Sequence, residues 1–559
     1  MVQASRSRRD FLRLLLAAGS VAALGVTAAC AGGTPAPTAA PAAPATTAPA
    51  AAAPTTAPAA QPTAAQAAAS GGAATVVQGN EIRSLDVSLE IAIAYRNAMM
   101  HLYDQLLFRD DKMAIVPMLA ASYSVEDNGT RLRFKLRPDV TFHDGTPFTA
   151  DDVKFTMDLV ADPARKPRAS DHTKYLTSLK ETRVVDPQTV DLVLNQFDGT
   201  IPGRVAMIQI VSKKWGEANG ADKLATQAMG TGPYTLKEWV RGQQMVLEAN
   251  PHYWAGKPKI QTVIWKSIAE ATTRAAAAET GSADVVTSIP PTLADQVNAG
   301  GKAEVKFVQS LRNFWINFNA YRKPWDDARV RRALNYAVNW DLYIKTIMNG
   351  RAYRTSSIFG PNVFGYDPNL KPYPYDPEKA KSLLAEAGHA SGLQAKLAYR
   401  TDGETPNEPE IIQAMVADLA QVGVKVTLDP IEFNTYLERY YRKFDPDIDL
   451  FANTNANNTA EANYNLQINV FSTGLGKDRT GYYWPTPKDI DDDITRARSI
   501  VDDKQREQVY HHIQARLFEE APYIFGFDQF ASYGVSKRLQ GFTPRADEYI
   551  LLHNASLSG

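Results

Sequence analysis

The spacing of apolar and polar residues along the chain switches between the two-residue period of a strand and the longer period of a helix. Residues 131–140 alternate charged and apolar side chains, as a half-buried strand does. Thr149 and Asp152 then stand at the spacing of a helix cap, and apolar residues recur from Val153 to Val160. The pattern predicts a strand followed by a capped helix.

A second stretch repeats this order. Asp376 and Pro377 open a predicted helix that Gly388 ends, and a strand is predicted over 392–400. A helix over 411–420, a strand from Val424 and a helix over 433–443 follow. Strands alternating with helices, without a repeat of fixed length, predict a mixed α/β body.

Another helix is predicted to follow Asp327, because its apolar residues fall on one face at helical spacing. The opposite face carries polar side chains, and we expect that face to contact solvent. Its residues are Arg329, Arg331, Arg332 and Asn335.

The first 29 residues have the order of an export signal. Arg8 and Arg9 precede an apolar pair and resemble the twin-arginine signal, and residues 14–29 carry no charge. This apolar stretch is too short and too rich in Gly and Ala to be a good membrane span. We therefore predict a signal peptide over 1–29 and a location outside the cytoplasm.

Cys30 is the only cysteine of the chain, so no intramolecular disulfide can form. The preceding residues resemble a lipoprotein cleavage box, although Thr27 stands where a large aliphatic residue is usual. We predict a lipid anchor on Cys30; the alternative is a chance cysteine in a signal cleaved at a nearby Ala. Residues 30–74, rich in Ala, Pro and Thr, predict a disordered tether that can extend to roughly 100 Å.

The remaining part of the chain, from Thr75 onward, exceeds the size at which a single core stops growing, so at least two lobes are expected. The chain has 60 basic and 61 acidic residues, and no basic stripe indicates nucleic-acid binding. The sequence after the tether therefore predicts a body of two or more lobes that does not bind nucleic acid.

Three blocks of this body resemble the family 5 solute-binding proteins of ABC importers, which include dipeptide, oligopeptide and nickel receptors. A weaker fourth block is PYDPEKAKSLLAEAG. The three blocks are VPMLAASYSVEDNGTRLRFKLRPDVTFHDGTPFTADDVKFTMDLV, GTGPYTLKEWVRGQQMVLEANPHYW and NFWINFNAYRKPWDDARVRRALNYAVNWDLYIKTIMNG. The blocks occur in the family's order, and the resemblance covers nearly the whole chain after the tether.

The resemblance implies two α/β lobes, joined by two hinge crossings, that close like a clamshell around a solute. By similarity, lobe 1 spans 75–311 with an inserted subdomain at about 120–205, lobe 2 spans 312–524, and 525–559 return to lobe 1. The resemblance also implies a binding protein that delivers its solute to a membrane permease and its ATPase. A monomer without cofactor is expected.

The expected ligand site departs from the pattern of peptide receptors. After a strand like DIDLF those proteins carry a Trp and then an acidic residue that receives the peptide's ammonium group, whereas this chain continues with NTNANNT. The acidic position falls on Asn457 or Asn458, and an amide does not neutralise a buried ammonium. Asn455, Asn457 and Asn458 instead favour hydroxyl or amide groups of a neutral solute, although Glu461 or Asp478 could supply the acid.

Aromatic residues complete the predicted ligand site. Tyr482, Tyr483 and Trp484 could stack on a sugar ring or a peptide group, and core packing is the alternative. Trp315 and Asn317 lie in the alternating run FWINFN, of which one face could line the cleft while the other packs in a core.

The sequence therefore predicts an importer's binding protein with peptide as the family's default ligand, and a neutral oligosaccharide or other hydroxyl-rich solute as the alternative. A surface hydrolase is disfavoured, because the turn His143-Asp144-Gly145 and the scattered histidines form no catalytic or metal-binding pattern. A sensory or adhesive lipoprotein with the same clamshell stays open.

Overall fold

The computed structural model describes residues 72–88, 93–162, 176–401, 405–442, 445–472 and 483–558. The predicted signal peptide, Cys30 and nearly all of the predicted tether lie outside the described residues, as do Tyr482 and Asp478. In the described part of the chain, no helix is both long and apolar enough to cross a membrane.

The strands follow one another along the whole body. They are β1 (Ala73–Gln78), β2 (Leu107–Arg109), β3 (Ile115–Pro117), β4 (Ala120–Glu126), β5 (Arg131–Leu136), β6 (Leu179–Asp186), β7 (Thr189–Leu194), β8 (Tyr234–Val240), β9 (Gln244–Ala249), β10 (Thr262–Ser267), β11 (Val285–Thr287), β12 (Ala303–Phe318), β13 (Ala352–Arg354), β14 (Leu393–Arg400), β15 (Val424–Ile431), β16 (Leu450–Ala456), β17 (Tyr523–Ser536), β18 (Leu539–Gln540) and β19 (Ser556–Leu557).

Helices alternate with these strands, which confirms the predicted mixed α/β class. They are α1 (Ile93–Leu102), α2 (Ala150–Ala161), α3 (Ile201–Val205), α4 (Lys213–Asn219), α5 (Ala271–Glu279), α6 (Ala294–Ala299), α7 (Ala328–Ala337), α8 (Trp340–Thr346), α9 (Pro377–Glu386), α10 (Glu408–Gln421), α11 (Phe433–Tyr436), α12 (Ala462–Asn469), α13 (Lys488–Arg498) and α14 (Asp503–Glu520). A π-helical segment, Leu437–Arg442, follows α11.

An 11-stranded sheet runs through the described body in the order β15-β14-β16-β12-β17-β11-β1-β10-β9-β8, with β13 added to β17. Its two central strands, β12 and β17, are long and antiparallel. One end of this pair contacts β16, and the other end contacts β11. The pair therefore joins two halves of the sheet.

The ladder between β12 and β17 is interrupted in its middle. Gln309 pairs with Phe530, but the next pair is Asn313 with Asp528, so β12 carries extra residues opposite Gln529. Such a bulge bends a strand and re-aims its side chains. The interruption lies close to the predicted lobe boundary at 311–312, although that boundary stays a prediction.

A separate four-stranded sheet, β4-β5-β7-β6, packs against α2 and encloses its own apolar core. Leu132, Phe134 and Leu136 of β5 point into this core, as the alternation predicted. The Thr149 backbone N–H donates to the Asp152 carboxylate at 2.9 Å, so the predicted cap at the start of α2 is confirmed.

The strand and helix order predicted after Asp376 is also confirmed. Asp376 caps α9 by accepting from the Lys379 N–H at 2.9 Å, and β14, α10, β15 and α11 follow. The last predicted helix is regular only to Tyr436 and continues as the π-helical segment.

The helix predicted after Asp327 is confirmed as α7, but the expectation that its polar face contacts solvent was wrong for Arg331 and Asn335. The buried Arg331 guanidinium donates to the carbonyls of Glu520 and Ala521 at the end of α14. The Asn335 side chain bridges the backbone of β17. Both side chains satisfy buried backbone groups that the strand and helix termini leave open.

One carboxylate just after α1 holds both ends of the family-like block at residues 230–254. Buried Asp104 accepts hydrogen bonds from Thr231, Tyr253 and Trp254 at 2.8–3.1 Å. Gly230 lies so close to this junction that a Cβ there would be 2.1 Å from the Leu102 carbonyl oxygen. The glycine is therefore required by packing, and the Trp254 indole N–H bonds within the scaffold.

Candidate functional site

A cavity of about 650 Å³ lies where the region of the four-stranded sheet faces the loops and helices that follow β16. Residues from both sides line it, so its walls come from distant parts of the chain. They include Arg109, Tyr123, Phe197, Asp198 and Gly203 on one side, and Phe364, Thr459, Glu461 and Arg506 on the other.

Charged groups in the wall of this cavity are largely buried. The Arg109 guanidinium donates to the Thr459 carbonyl, and burial lowers its pKa. Burial raises the pKa of the Glu461 carboxyl, although Arg506 at 3.6 Å and the Tyr510 hydroxyl at 2.9 Å favour its charged form. Each of these charged side chains is thus already bonded to another residue of the protein.

Asp198 connects the two sides of the cavity. It accepts from the Arg498 guanidinium on α13 and lies 3.7 Å from Arg204 on α3. Burial alone would raise the pKa of Asp198, but the two guanidinium charges outweigh burial and hold it well below its usual range. The Gly199 N–H also donates to the Arg498 carbonyl at 2.9 Å. These bonds act as a latch between 198–204 and α13.

A smaller cavity of about 370 Å³ adjoins the loop between β13 and α9. Residues 361–366 form one wall, and residues 111–113 and Ala546 form another. The same loop passes over the crossing of β12 and β17, where Gly360 contacts Asp528. The two cavities share Phe364.

At the crossing itself, polar side chains form a row over four adjacent strands. Asn455 of β16 is opposite Asn313 of β12, which is opposite Asp528 of β17, which is opposite Tyr353 of β13. Residues directly opposite in antiparallel strands point to the same face of a sheet. We call Asn455, Asn313, Asp528 and Tyr353 the crossing row.

The crossing row contains one of the predicted site residues. Asn455 is half-buried and makes no side-chain hydrogen bond to another residue of the described ranges. Its amide is therefore available to a solute. Asn458 is also half-buried without such a bond, but it lies beyond the end of β16.

Asn457 serves its own loop instead. Its side chain is fully buried, donates to the Glu461 carbonyl at 2.8 Å, and accepts from the Thr459 hydroxyl and the Glu461 N–H, both at 3.2 Å. All these partners lie within four residues, as in a turn stabilised by Asn. The ligand contact predicted for Asn457 has no support from these bonds.

The predicted aromatic residues are packed inside the protein. Tyr483 contacts Phe451 and Tyr440, and its hydroxyl accepts from the Asp445 N–H at 2.9 Å. Trp484 and Trp315 belong to one apolar core. Asn317 accepts from the Trp315 indole N–H at 3.2 Å. Their ligand contacts stay predictions, and the packing alternative fits these positions.

Asp528 was missed in the sequence. It stands in the mostly apolar run YIFGFDQFASYGV, in which a lone acid carries no local signal of a site. Only the pairing of strands distant in sequence places it beside Asn313 and Tyr353. The described residues contain no group of three or more His, Cys, Asp or Glu side chains suited to a metal ion.

The family model described as bacterial extracellular solute-binding proteins, family 5 Middle, matches residues 114–475. A curated relative, the glutathione-binding protein GsiB of Pectobacterium atrosepticum, is 28% identical over 497 residues, covering 87% of this chain and 94% of the relative. The chain thus matches nearly the full length of that relative.

Solved structures agree with the fold. The periplasmic binding protein DppA of Helicobacter pylori, in complex with the peptide STSA, superposes with a TM-score of 0.76 at 25% identity, over 88% of this chain and 98% of DppA. The oligopeptide-binding protein AppA of Bacillus subtilis, in complex with a nonapeptide, gives 0.75 at 23% identity, over 88% of this chain and 99% of AppA. The predicted bilobal α/β clamshell is confirmed.

Proposed function

Because the chain belongs to the bacterial extracellular solute-binding proteins of family 5, we propose that it captures a short peptide or a glutathione-like solute and delivers it to an ABC permease and ATPase. Members of this family are extracytoplasmic transport binding proteins and not enzymes. The chain therefore binds a solute and does not convert it.

The observation that carries the ligand class is the near full-length match to a glutathione-binding relative, together with a peptide complex among the solved structures. Glutathione and short peptides share amide groups, carboxylates and a free amine. The half-buried Asn455 offers an unoccupied amide to such groups at the crossing of the two halves.

Closure of the two lobes around β12 and β17 supplies the binding mechanism in this proposal. The lobes span 75–311 with 525–559 and 312–524, and the interrupted ladder between Gln309 and Asn313 is the hinge element. A solute shifts the equilibrium toward the closed form only if it binds that form better. Bonds such as those of Asp198 with Arg498 then add to the closed form's stability.

The attachment to the membrane belongs to the same proposal. A twin-arginine signal directs export, a lipid on Cys30 anchors the protein, and the Ala, Pro and Thr tract spaces a monomeric body from the membrane. The support is the order of these segments before residue 75.

A thermal-shift screen of the mature chain tests the ligand class. Dipeptides, tripeptides and glutathione are compared with cello- and xylo-oligosaccharides, since a solute that binds only the folded state raises Tm. We expect stabilisation by members of the first group. Stabilisation by oligosaccharides alone would show that the ligand is a hydroxyl-rich solute and not a peptide-like one. The Asn457 side chain offers no support for that alternative, because it is already bonded to its own loop.

A further inference from the structure

Asp528 is a buried carboxylate without a counter-ion. Its side chain is 2% exposed, and it accepts from the Asn313 Nδ2 at 2.8 Å and the Gln309 Nε2 at 3.3 Å. Both donors are neutral amides. No Lys, Arg or His within the described ranges forms an ion pair with it.

Four other buried acids of the described residues have a cation or three donors as partners. Asp198 has Arg204 and Arg498, Glu461 has Arg506, and Asp284 has Arg538 at 2.6 Å. Asp104 has no cation but accepts three hydrogen bonds from side chains. Burying a charge without a partner is strongly unfavourable, and burial accordingly raises the pKa of Asp528 to about 7.

Asn313, which donates to Asp528, also offers a further acceptor. The Asn313 Oδ1 is buried without a hydrogen-bond partner, and so is the Ser357 hydroxyl oxygen on the loop that covers the crossing. A carboxylate has about four acceptor positions, of which two are used here. This arrangement lacks a group that brings several N–H donors and a positive charge, as a primary ammonium does.

The covering loop approaches Asp528 closely. A Cβ on Gly360 would lie 1.7 Å from the Asp528 Oδ2, so only glycine fits there without moving the carboxylate. Residues 361–366 of the same loop line the cavity of about 370 Å³. The carboxylate is therefore separated from the cavity by one segment that carries no side chain at its nearest point.

Position in the sheet links Asp528 to the solute site. It belongs to the crossing row with Asn455, and neighbouring strands lie about 5 Å apart, so the two side chains are about 10 Å apart along one face. An extended peptide rises about 3.3 Å per residue, so that span corresponds to about three residues of a solute. The row also lies where β12 and β17 pass between the two halves.

We propose that Asp528 binds the ammonium group of the solute. The side-chain Oδ1 of Asn313 is a second acceptor for this group, and the Asn455 side chain bonds to amide groups of the solute. This inference rests on the proposed function. It assigns the acidic partner of a free amine to β17, whereas the acidic position predicted after β16 is held by an amide that serves its own loop.

Calorimetric titration of the mature chain with two amine-bearing probes, glutathione and the tetrapeptide STSA, tests the proposal. Each probe is paired with its N-acetylated form, which keeps the shape of the backbone but removes the charge. We expect N-acetylation to weaken binding to the unmodified protein by at least about 100-fold, because the buried carboxylate then has no counter-ion.

A substitution gives the second arm. Asp528→Asn should weaken the binding of the amine-bearing probes by a similar factor. The N-acetylated probes should bind the variant at least as tightly as they bind the unmodified protein. Asp418→Asn is the matched control, because Asp418 is also a buried acid with raised pKa but lies on α10, away from the crossing. The control should change probe affinity by less than about 3-fold.

The outcomes separate the two claims. Equal affinity of the unmodified protein for free and N-acetylated probes would overturn the role of Asp528 and leave the proposed function in place. This measurement does not depend on the folding of any variant. Absence of binding by both probes and by every peptide of the thermal-shift screen would overturn the peptide-like function and the inference with it.

Discussion

Asp528 has a charge state that depends on folding. Its pKa is about 7 in the folded protein, compared with a value near 3.8 for an unperturbed Asp. Between these values the folded chain keeps a proton that the unfolded chain has released, so the free energy of unfolding falls as the pH rises toward 7. The Asp528 charge contributes to the raised pKa of Tyr366, and neither Tyr366 nor the adjoining Tyr353 supplies a positive charge beside the carboxylate.

This fall of the unfolding free energy with rising pH gives a prediction for the solute-free protein. Raising the pH from 5 to 8 should lower the Tm of the unmodified protein relative to Asp528→Asn by roughly 2–4 °C, because only the former acquires the buried charge. Differential scanning calorimetry of both proteins measures the difference. The exposed Asp295→Asn serves as control and should follow the unmodified protein. Parallel pH curves for Asp528→Asn and the unmodified protein would contradict the prediction.

The candidate site residues could be predicted only in part, because the contacts that distinguish them are not visible in the sequence. Asn455, Asn457 and Asn458 look alike in sequence, but Asn457 closes a turn on Thr459 and Glu461, while Asn455 belongs to the crossing row and makes no such bond. Nothing in the sequence distinguishes an amide that serves its own loop from one that faces a cleft. Asp528 was missed because its neighbours come from strands more than 150 residues away.

At the scale of elements, helix α7 shows what a sequence pattern omits. Its position after Asp327 and its apolar face were predicted correctly, since both depend on residues within ten positions. The burial of Arg331 was not predicted, because the carbonyls it satisfies belong to Glu520 and Ala521 at the end of α14. Long-range partners of this kind convert a polar helix face into part of the interior.

Substitution of Arg331 should therefore be costly. Arg331→Gln leaves buried carbonyls of the α14 terminus without donors and should lower the free energy of unfolding by about 2–4 kcal/mol. Urea denaturation measures this difference. Arg329→Gln, one residue from the start of the same helix, removes an exposed ion pair with Asp327 and should cost less than about 1 kcal/mol. Equal costs for both variants would contradict the assignment.

The latch between 198–204 and α13 gives a second prediction for elements. Arg498→Gln removes a charge partner of Asp198, so the closed arrangement loses stability and the dissociation constant for a bound solute should rise about 10-fold. Titration with glutathione or STSA measures it. Arg496→Gln on the same helix breaks an exposed pair with Asp493 and should leave the affinity unchanged. An unchanged affinity for Arg498→Gln would show that the latch does not support closure.

At the scale of the whole molecule, the fold was predictable because the family-like blocks extend over most of the body. The blocks take part in scaffold contacts such as those of Tyr253 and Trp254 with Asp104, which fix how distant segments meet. They contain less of the ligand site, which depends on the row across β16, β12, β17 and β13. The lobe boundaries and the monomeric state stay predictions.

The proposed anchor is tested outside the folded body. Cys30→Ala removes the thiol that would receive the lipid, so the protein should move from the membrane fraction to the soluble extracytoplasmic fraction. Fractionation of cells followed by immunoblotting measures the distribution. Thr34→Ala, a small change in the tether, should leave the protein with the membrane. Membrane association of the Cys30→Ala variant would refute lipid attachment at this residue.

The central claim is that an amine-bearing solute is held at the crossing of β12 and β17 between two closing lobes. The crystal structure of the mature protein with a stabilising peptide or glutathione tests it most directly. We predict the solute between the lobes, with its amine within 2.7–3.2 Å of an Asp528 carboxylate oxygen, the usual hydrogen-bond range. A solute bound on the outer surface, or one whose amine contacts another acid of the cleft, would contradict the account.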